Sequence, residues 1–301
     1  MNNLNTYSKF FGSIVALVTP MKANLDIDYP RLEQLIEFHI DEGTDAIVMV
    51  GTTGESPTIN FEEHQEVIAF AVKKAAGRLP IIAGTGANST IEAIQLSKQA
   101  EQDGADAVLS VVPYYNKPTQ DGLYLHFEAI AESVSIPVFL YNVPGRTVAD
   151  LSNDTVIKLA DIPNIVGIKD ATASMERVAD LSRRVSDDFI ILSGDDASAI
   201  GLLLLGGKGV ISVTANVAPR QMHNFCAAAL DQQWQKAVDL HLQLLPLHQK
   251  LFVESSPIPV KWACAKLGLI EDYLRLPLSP LKPTNHEIVF IAMKEAGVIN
   301  E

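Results

Sequence analysis

Short, almost continuously apolar segments recur along the first two-thirds of the chain. Such segments, when they are bounded by turn residues, are typical of β-strands buried on both faces. Eight segments fit this pattern: Ser13–Thr19, Ala46–Val50, Pro80–Gly84, Ala107–Val111, Pro137–Leu140, Ile165–Ile168, Phe189–Ser193 and Val210–Val213. Their carboxyl ends are 20 to 34 residues apart, which leaves room for one crossover helix after each strand.

The segments between the strands carry the periodicity and the end signals of helices. Leu32, Leu35 and Ile36 lie on one helix face, with Ile40 one turn further on. Helix ends are marked by capping-box spacing at Asn60 with Glu63 and at Ser89 with Glu92, and by Gly77 and Gly104. Eight strand-then-helix units predict an α/β fold, a closed (β/α)8 TIM barrel. An open, doubly wound sheet is the alternative, but units of similar size favour closure.

The last part of the chain lacks strand signals and is predicted to be helical. Four helices are expected after the eighth strand: Gln221–Leu230, Gln233–Phe252, Pro259–Leu267 and Asn285–Ala296. No low-complexity stretch or long linker separates them from the barrel. We therefore expect a catalytic barrel over residues 1–232, followed by a C-terminal helical domain over residues 233–301.

Composition limits the location and the partners of the protein. Of the 301 residues, 48% are apolar and 20% are charged, which suffices for a substantial core. The net charge of −13 argues against nucleic acid or a membrane surface as a partner, and an anionic substrate would need a local cation. Cys226 and Cys264 show no metal-ligand spacing. Without an export or anchoring segment, we expect a cytoplasmic protein.

A lysine at a strand end is the first candidate for chemistry. In such a barrel, the residues just after each strand line the catalytic mouth. Lys169 follows the apolar run Ile165–Ile168 and is the only lysine at a predicted strand end. Burial disfavours the ammonium form of a lysine, and a neutral amine attacks a ketone to form a Schiff base. The alternative is a structural ion pair of Lys169 with Asp170 or Asp195.

Schiff-base chemistry also requires a group that moves protons. None of the seven histidines ends a predicted strand. Tyr141 ends the fifth strand, next to Lys169 on the sixth, and is the candidate acid or base. A packing aromatic at the barrel rim is the alternative for Tyr141. Thr52 and Thr53 lie in a glycine-flanked turn whose backbone N–H groups could hold a carboxylate.

Other catalytic groups have weak support. A divalent metal ion would need ligands clustered at the mouth, and the candidates are the carboxylates Glu55, Asp170, Asp195 and Asp196. The stretch Gly84-Thr85-Gly86 lacks the full spacing of a dinucleotide-binding motif. We therefore expect a lysine-based mechanism with no metal and no organic cofactor.

Four motifs at the predicted strand ends resemble those of one enzyme family. They are Gly51-Thr52-Thr53-Gly54-Glu55, Pro113-Tyr114-Tyr115-Asn116-Lys117-Pro118, Tyr141-Asn142-Val143-Pro144-Gly145-Arg146-Thr147 and Gly167-Ile168-Lys169-Asp170. In order and over nearly the whole chain, they resemble the 4-hydroxy-tetrahydrodipicolinate synthase (dihydrodipicolinate synthase) family. Its wider superfamily of Schiff-base-forming, pyruvate-dependent lyases and aldolases includes N-acetylneuraminate lyase. The lysine and the tyrosine are shared throughout, whereas Arg146 and the double tyrosine favour the synthases.

The resemblance implies a reaction and an assembly. Pyruvate would form a Schiff base with Lys169, and the enamine would attack L-aspartate 4-semialdehyde, giving 4-hydroxy-tetrahydrodipicolinate on the diaminopimelate and lysine pathway. The resemblance implies Tyr141 as the acid or base, Thr53 as a proton relay, and Tyr115 as a contribution from the neighbouring subunit. A tight homodimer is therefore implied, usually within a dimer of dimers. The implied substrate-binding residues are Thr52, Thr53, Arg146, Gly194 and Ile211.

Arg146 has a physical argument beside the resemblance. A planar guanidinium binds a carboxylate through two parallel hydrogen bonds, and an acidic protein needs such a fixed cation to hold an anion. The resemblance implies that Arg146 binds the carboxylate of the second substrate. The alternative is a structural pair with Glu55 or with an aspartate of the mouth.

The resemblance also implies inhibition by L-lysine at the dimer interface. The matching positions are Ser56, Pro57, Phe61, His64, Asn88, Glu92 and Tyr114. His64 and Glu92 often accompany lysine sensitivity, whereas Phe61 and Pro57 depart from the histidine and alanine of some sensitive members. Glu92 has an alternative role as the capping-box partner of Ser89. We expect moderate inhibition by L-lysine.

Two other functions remain open at this point. Within the same superfamily, the chain could be an aldolase that joins pyruvate to a sugar-derived aldehyde. From a different class, it could be a non-catalytic barrel that binds small molecules. The joint presence of Lys169, Tyr141 and Thr53 argues against the second alternative.

Overall fold

The computed structural model describes residues 7–299, which contain the predicted closed barrel. Eight parallel strands follow one another in chain order, and the first pairs with both the second and the eighth. The strands are β1 Gly12–Ala16, β2 Ala46–Met49, β3 Ile81–Gly84, β4 Ala107–Val111, β5 Val138–Asn142, β6 Ile165–Asp170, β7 Ile190–Ser193 and β8 Gly209–Ser212. Closure is thereby confirmed over the open-sheet alternative.

Helices surround the barrel and continue beyond its last strand. They are α1 Tyr29–Asp41, α2 Phe61–Ala75, α3 Thr90–Gln102, α4 Gln120–Glu132, α5 Pro144–Thr147, α6 Asn153–Ala160, α7 Met175–Arg184, α8 Ala199–Leu204, α9 Pro219–Leu230, α10 Trp234–Lys250, α11 Ile258–Lys266 and α12 Pro283–Glu295. Short 3-10 helices span Ser8–Phe10, Ser56–Thr58 and Thr214–Asn216. The predicted C-terminal helices are confirmed with shifted ends. From residue 7 to residue 299, no helix has both the length and the apolar character to cross a membrane.

Two apolar layers, separated by the sheet, make up the core. Because successive strand residues face opposite sides, Ile14 and Val48 fill the barrel interior, while Val15 and Ile47 pack against the outer helices. Phe10 lies against Phe139 in the interior, with ring centroids 5.4 Å apart. The outer layer continues without a break into α10, α11 and α12. The division at residue 232 stays a prediction.

Two local sequence signals had different outcomes. The capping box at α2 is confirmed, since Asn60 accepts from the Glu63 amide and Glu63 accepts from the Asn60 amide. The predicted box at α3 is wrong, because the Ser89 side chain makes no cap hydrogen bond.

The first strand ends three residues earlier than predicted. There, the Val18 amide leaves the ladder and donates to Asn216 Oδ1 over 3.0 Å.

An irregularity between β5 and β6 decides which way Lys169 points. Val138 pairs with Ile165, but the next residue, Phe139, pairs with Gly167, so β6 contains one extra residue. Ile165 and Ile168 therefore both pack outside the barrel, although strict alternation would place them on opposite faces. The extra residue turns Lys169 towards the interior, as bulges near active sites commonly do.

Candidate active site

Lys169 and Tyr141 stand side by side at the carboxyl ends of adjacent strands. They are register partners on β6 and β5, and both are buried, with 7% of each residue exposed. The Lys169 Nζ atom lies 4.1 Å from the centre of the Tyr141 ring. A ring face stabilises a nearby cation without taking up its proton. The amine is therefore held at the barrel mouth next to a phenol.

The carboxylates expected to compete for Lys169 have other partners. Asp170 Oδ2 accepts from Arg177 Nε over 3.0 Å, and Asp170 faces away from the interior. Asp195 Oδ2 accepts from the backbone amide and the hydroxyl of Ser198, over 2.9 and 2.6 Å. Throughout residues 7–299, no carboxylate lies within ion-pair distance of Lys169. The structural ion pair considered for Lys169 is therefore not formed.

The space beside the lysine amine depends on a glycine. A Cβ atom added to Gly194 would stand 2.9 Å from Lys169 Cε and 2.7 Å from Ala171 Cβ. The absence of a side chain keeps open a small cavity of about 150 Å3 next to the amine. Its lining contains all but one of the predicted catalytic and substrate-binding residues: Thr52, Thr53, Tyr141, Arg146, Lys169, Gly194 and Ile211. Tyr115 does not line it.

The turn after β2 has an unusual backbone. Val50 and Glu55, on either side of the turn, have φ angles of 52° and 62° in the left-handed region. This region costs energy for residues with a Cβ, especially the β-branched valine, so the surroundings must enforce it. Inside the turn, Thr53 is buried and Thr52 lines both cavities of the site. The strained turn thus presents both threonines opposite Lys169.

Arg146 faces the same cavities, and no carboxylate within residues 7–299 pairs with it. It lies in the short helix α5, and its Nη2 donates to the Ser256 carbonyl over 3.3 Å. The predicted alternative partner, Glu55, is instead paired with Lys261 at 2.5 Å. The structural pair considered for Arg146 is therefore not formed with Glu55. The guanidinium keeps hydrogen-bonding capacity for an incoming carboxylate.

Each of the four mouth carboxylates is engaged within the protein. Besides Glu55, Asp170 and Asp195, Asp196 accepts from the amides of Val213 and Thr214, both over 3.0 Å. In the part of the chain that the structure describes, no three His, Cys, Asp or Glu side chains are grouped to hold a metal ion.

A larger cavity of about 380 Å3 adjoins the lysine and extends away from it. It is lined by six of the seven positions proposed for L-lysine: Ser56, Pro57, Phe61, His64, Glu92 and Tyr114. Asn88 is not among its lining residues. Burial lowers the pKa of His64, whose Nε2 lies 2.7 Å from the Gly84 carbonyl, and burial together with nearby Glu92 raises the pKa of Tyr114.

Tyr115 is placed differently from the other predicted catalytic residues. It is 89% exposed and has a φ of 75°, so the backbone turns its phenol out of the chain's own barrel. The neighbouring Tyr114 is 39% exposed and lines the larger cavity. A left-handed backbone costs conformational energy, and an exposed tyrosine gains nothing from water that would offset this cost. Both features are typical of a surface that contacts another protein.

Sequence reasoning missed two cations that hold the site from outside. Arg177 contacts Asp170 and Asp150, and Asp150 also accepts from Asn142 Nδ2 over 2.8 Å. Lys261 carries the buried pair with Glu55. A charged residue inside the apolar run 258–264 was the available signal for Lys261. Arg177 had no such signal, because it is one of several charged residues in a strongly amphipathic helix and its spacing does not set it apart from the others.

Comparison with known proteins decides the family. The family model described as "Dihydrodipicolinate synthetase family" matches residues 9–296. The chain belongs to the dihydrodipicolinate synthetase family. The 4-hydroxy-tetrahydrodipicolinate synthase of Thiobacillus denitrificans is 62% identical over 288 residues, covering 96% of this chain and 97% of that protein. The family resemblance expected from the four motifs is thus confirmed.

Solved structures of this family share the fold. Dihydrodipicolinate synthase from Acinetobacter baumannii, complexed with pyruvate, has a TM-score of 0.95 at 54% identity, covering 96% of this chain and 99% of that one. DHDPS from Cyanidioschyzon merolae with lysine bound has a TM-score of 0.93 at 40% identity, again covering 96% and 99%. The helical tail after the barrel is part of this shared fold.

Proposed function

We propose that this protein is a lyase that condenses pyruvate with L-aspartate 4-semialdehyde through a Schiff base on Lys169. The observation that carries the proposal is the Lys169 amine, which is buried at the barrel mouth and lies 4.1 Å from the Tyr141 ring, with no carboxylate partner among the described residues. The family assignment and the pyruvate complex of the Acinetobacter relative support the choice of keto acid. The product is 4-hydroxy-tetrahydrodipicolinate, an intermediate of diaminopimelate and lysine biosynthesis.

The chemistry follows from the amine. Lys169 Nζ adds to the C2 carbonyl of pyruvate, and the carbinolamine loses water to give the protonated imine. Loss of a C3 proton gives the enamine, whose carbon attacks the aldehyde carbon of the second substrate. The amino group of that substrate then attacks C2 and displaces the Lys169 amine as the ring closes. One water is released overall, and no external oxidant or reductant is needed.

Three side chains move the protons in this proposal. Tyr141 stands next to the amine and serves as the acid and base at the imine. Thr53, buried in the strained turn, passes protons to and from it. Tyr115 completes the relay in the neighbouring subunit, which its 89% exposure supports. A tight homodimer is therefore required for activity, and we further propose that two dimers form a tetramer.

The two carboxylates of the substrates go to different sides of the cavity. The turn at Thr52 and Thr53 holds the pyruvate carboxylate, close to Gly194 and Ile211. Arg146, which keeps hydrogen-bonding capacity at the cavity rim, binds the carboxylate of L-aspartate 4-semialdehyde. No organic cofactor is needed, because the iminium formed on Lys169 accepts the electrons of the carbanion.

Reduction with borohydride tests the proposal directly. Incubation with pyruvate and borohydride should add the three-carbon skeleton irreversibly to Lys169, as located by peptide mass spectrometry. Lys169→Ala should give no adduct and no turnover, while Lys158→Ala on the outer helix α6 should behave like the wild type. Absence of the adduct in the wild type, or its location at another residue, would contradict the mechanism and favour a non-catalytic binding barrel.

The acceptor specificity separates the synthase from a sugar-acid aldolase. We expect turnover with L-aspartate 4-semialdehyde to exceed that with sugar-derived aldehydes by more than about 100-fold, since an aldehyde without the matching carboxylate leaves Arg146 unpaired. Arg146→Gln should abolish most of this preference. Equal rates with both aldehyde classes would favour the aldolase alternative.

Inhibition by L-lysine is proposed as a property of the larger cavity. Glu92 provides a carboxylate for the ligand's ammonium, and His64 and Tyr114 line the same space. The lysine-bound Cyanidioschyzon relative supports this use of the cavity. Titration of L-lysine against initial rate should show moderate inhibition that Glu92→Gln weakens and Glu62→Gln on the exposed face of α2 does not. A flat titration to millimolar lysine would contradict it.

A further inference from the structure

A fully buried ion pair joins the C-terminal helices to the mouth of the barrel. Lys261 Nζ in α11 lies 2.5 Å from Glu55 Oε1, and neither side chain has any exposed surface. Burial lowers the pKa of the Lys261 ammonium, and Glu55 opposes that shift. Removing two charges from water carries a large cost, so a buried pair is poor evidence for stability by itself. The presence of the Lys261–Glu55 pair at this place is therefore better explained by the segment that it keeps in position.

Glu55 closes the turn that carries the two threonines. Its backbone amide donates to the Thr52 carbonyl over 3.1 Å, and its own φ of 62° is left-handed. Such a conformation persists only when surrounding contacts enforce it. The ion pair with Lys261 thus fixes the side chain of Glu55, and the backbone of Glu55 ends the turn.

A second cation from the C-terminal region holds the same segment. The Arg275 amide donates to Glu55 Oε2 over 3.2 Å, so both carboxylate oxygens are occupied. The Arg275 guanidinium binds the Thr58 carbonyl over 2.8 Å and both oxygens of Glu63 over 2.5 and 2.6 Å. Residues 55–58 are thereby fixed at both ends to the chain beyond α11.

We propose that Lys261 is a positioning residue for substrate binding, which acts through Glu55 to hold the Thr52-Thr53 turn in its carboxylate-binding conformation. This inference rests on the proposed function, in which that turn holds the carboxylate of a 2-keto acid. The amine of Lys169 belongs to another strand and another set of contacts. Loss of the pair should therefore weaken keto-acid binding. At saturation the bound carboxylate itself holds the turn, and with it Thr53, in place, so the covalent chemistry should stay nearly intact.

The test compares binding with chemistry in the homo-oligomeric enzyme. The single variants Lys261→Met and Glu55→Gln each leave one buried charge unpaired, which can prevent folding. The double variant Glu55→Gln/Lys261→Met removes both charges at similar side-chain volume, so we expect it to fold. We expect the KM for pyruvate to rise roughly tenfold in the double variant, as for one lost charge-assisted contact. The kcat at saturating pyruvate should change less than about threefold. Lys266→Met, at the exposed end of the same helix, is the matched control and should equal the wild type.

Two readouts separate positioning from mere structural support. KM does not depend on the fraction of enzyme that is folded, whereas a structural role alone lowers only the apparent kcat. The pyruvate concentration for half-maximal borohydride trapping should rise by the same factor as KM. An unchanged KM and an unchanged half-saturation in the double variant would overturn the inference. A wild type that forms no adduct would instead overturn the proposed function.

Discussion

The two sides of the barrel mouth are built in different ways. On one side, Tyr141 and Lys169 are register partners on adjacent strands, so regular parallel pairing sets their separation. On the other side, Thr52 and Thr53 lie in a turn flanked by two left-handed residues. Strand pairing is rigid and local, whereas the turn requires long-range contacts from α11 and beyond to keep its shape.

In the proposed mechanism, this difference assigns covalent chemistry and carboxylate binding to two kinds of structure. The covalent step needs a fixed distance between an amine and a phenol, which backbone hydrogen bonds between strands supply. Recognition of the keto-acid carboxylate needs converging N–H groups, which an irregular turn supplies. Substitutions on the strand side should therefore lower kcat, and substitutions that release the turn should raise KM.

Among substitutions around Lys169, removal of the Tyr141 hydroxyl should have the largest effect. Tyr141→Phe keeps the ring beside Lys169 but removes the proposed acid and base, so kcat should fall by about 100- to 1000-fold. The KM for pyruvate should change little, because the turn is untouched. Steady-state kinetics at saturating semialdehyde measures both. A variant with normal kcat and raised KM would reverse the assignment of the two sides.

Filling the space beside the amine should have the next largest effect. The Cβ of Gly194→Ala would stand 2.9 Å from Lys169 Cε and must displace the lysine chain. We expect kcat to fall by about tenfold to 100-fold, since small misplacements of a reacting group are costly. Gly122→Ala is the control, because its added Cβ meets only ordinary contacts at 3.5 Å in α4. Equal activity of both variants would show that the lysine has room to move.

Removing the ion pairs of Arg177, which hold the ends of β5 and β6 from outside the barrel, should lower kcat by a smaller factor. Arg177 links Asp170, directly after Lys169, with Asp150, which binds Asn142 directly after Tyr141. Arg177→Gln should lower kcat by about threefold to tenfold with little change in KM, and Arg177→Lys should recover part of the loss.

Arg184 provides the matched control on the same helix. It pairs with Asp154 and Asp180 at the surface and contacts neither strand end. Arg184→Gln should therefore retain wild-type kcat. If Arg177→Gln behaves like Arg184→Gln, the strand ends do not need the outer network, and pairing alone sets the geometry of the site.

The barrel and its mouth were predictable because both follow from repetition. Eight apolar segments with intervening helix signals fix the closed fold, and the strand ends then locate Lys169, Tyr141 and Arg146 at the mouth. Helix ends with a local chemical signature, such as Asn60 with Glu63, were also predictable. The box expected at Ser89 failed, since Glu92 lines the larger cavity and the spacing alone does not force the side chains together.

The contacts that orient the site were not predictable, because they join distant parts of the chain. Glu55 and Lys261 are 206 positions apart, and no local pattern links them. The extra residue in β6, which decides that Lys169 points inward, had only one weak signal, the glycine inside the apolar run Ile165–Ile168. Gly167 fits that irregularity, since a Cβ there would stand 2.4 Å from the Ile190 carbonyl oxygen.

A buried histidine at the opposite end of the barrel provides a contrast with both sides of the mouth, because its substitution should change the free energy of unfolding and not kcat or KM. His39 in α1 is fully buried, with Nδ1 2.8 Å from Thr44 Oγ1 just before β2, and burial lowers its pKa to about 3. In the unfolded chain its pKa is about 6.5. Above that value both states are neutral, so the group does not alter the free energy of unfolding. Below it, only the unfolded state gains the proton.

The free energy of unfolding should therefore fall as the pH drops from about 6.5 towards 3, by about 1.4 kcal/mol per pH unit from this group. Urea unfolding at pH 7 and pH 5 measures the loss, which His39→Gln should reduce by about 2 kcal/mol. His39→Gln should retain wild-type kcat and KM at neutral pH. A wild-type pH slope in His39→Gln would assign acid sensitivity to other groups, whereas a changed KM would show that the bottom of the barrel is coupled to the turn at its mouth.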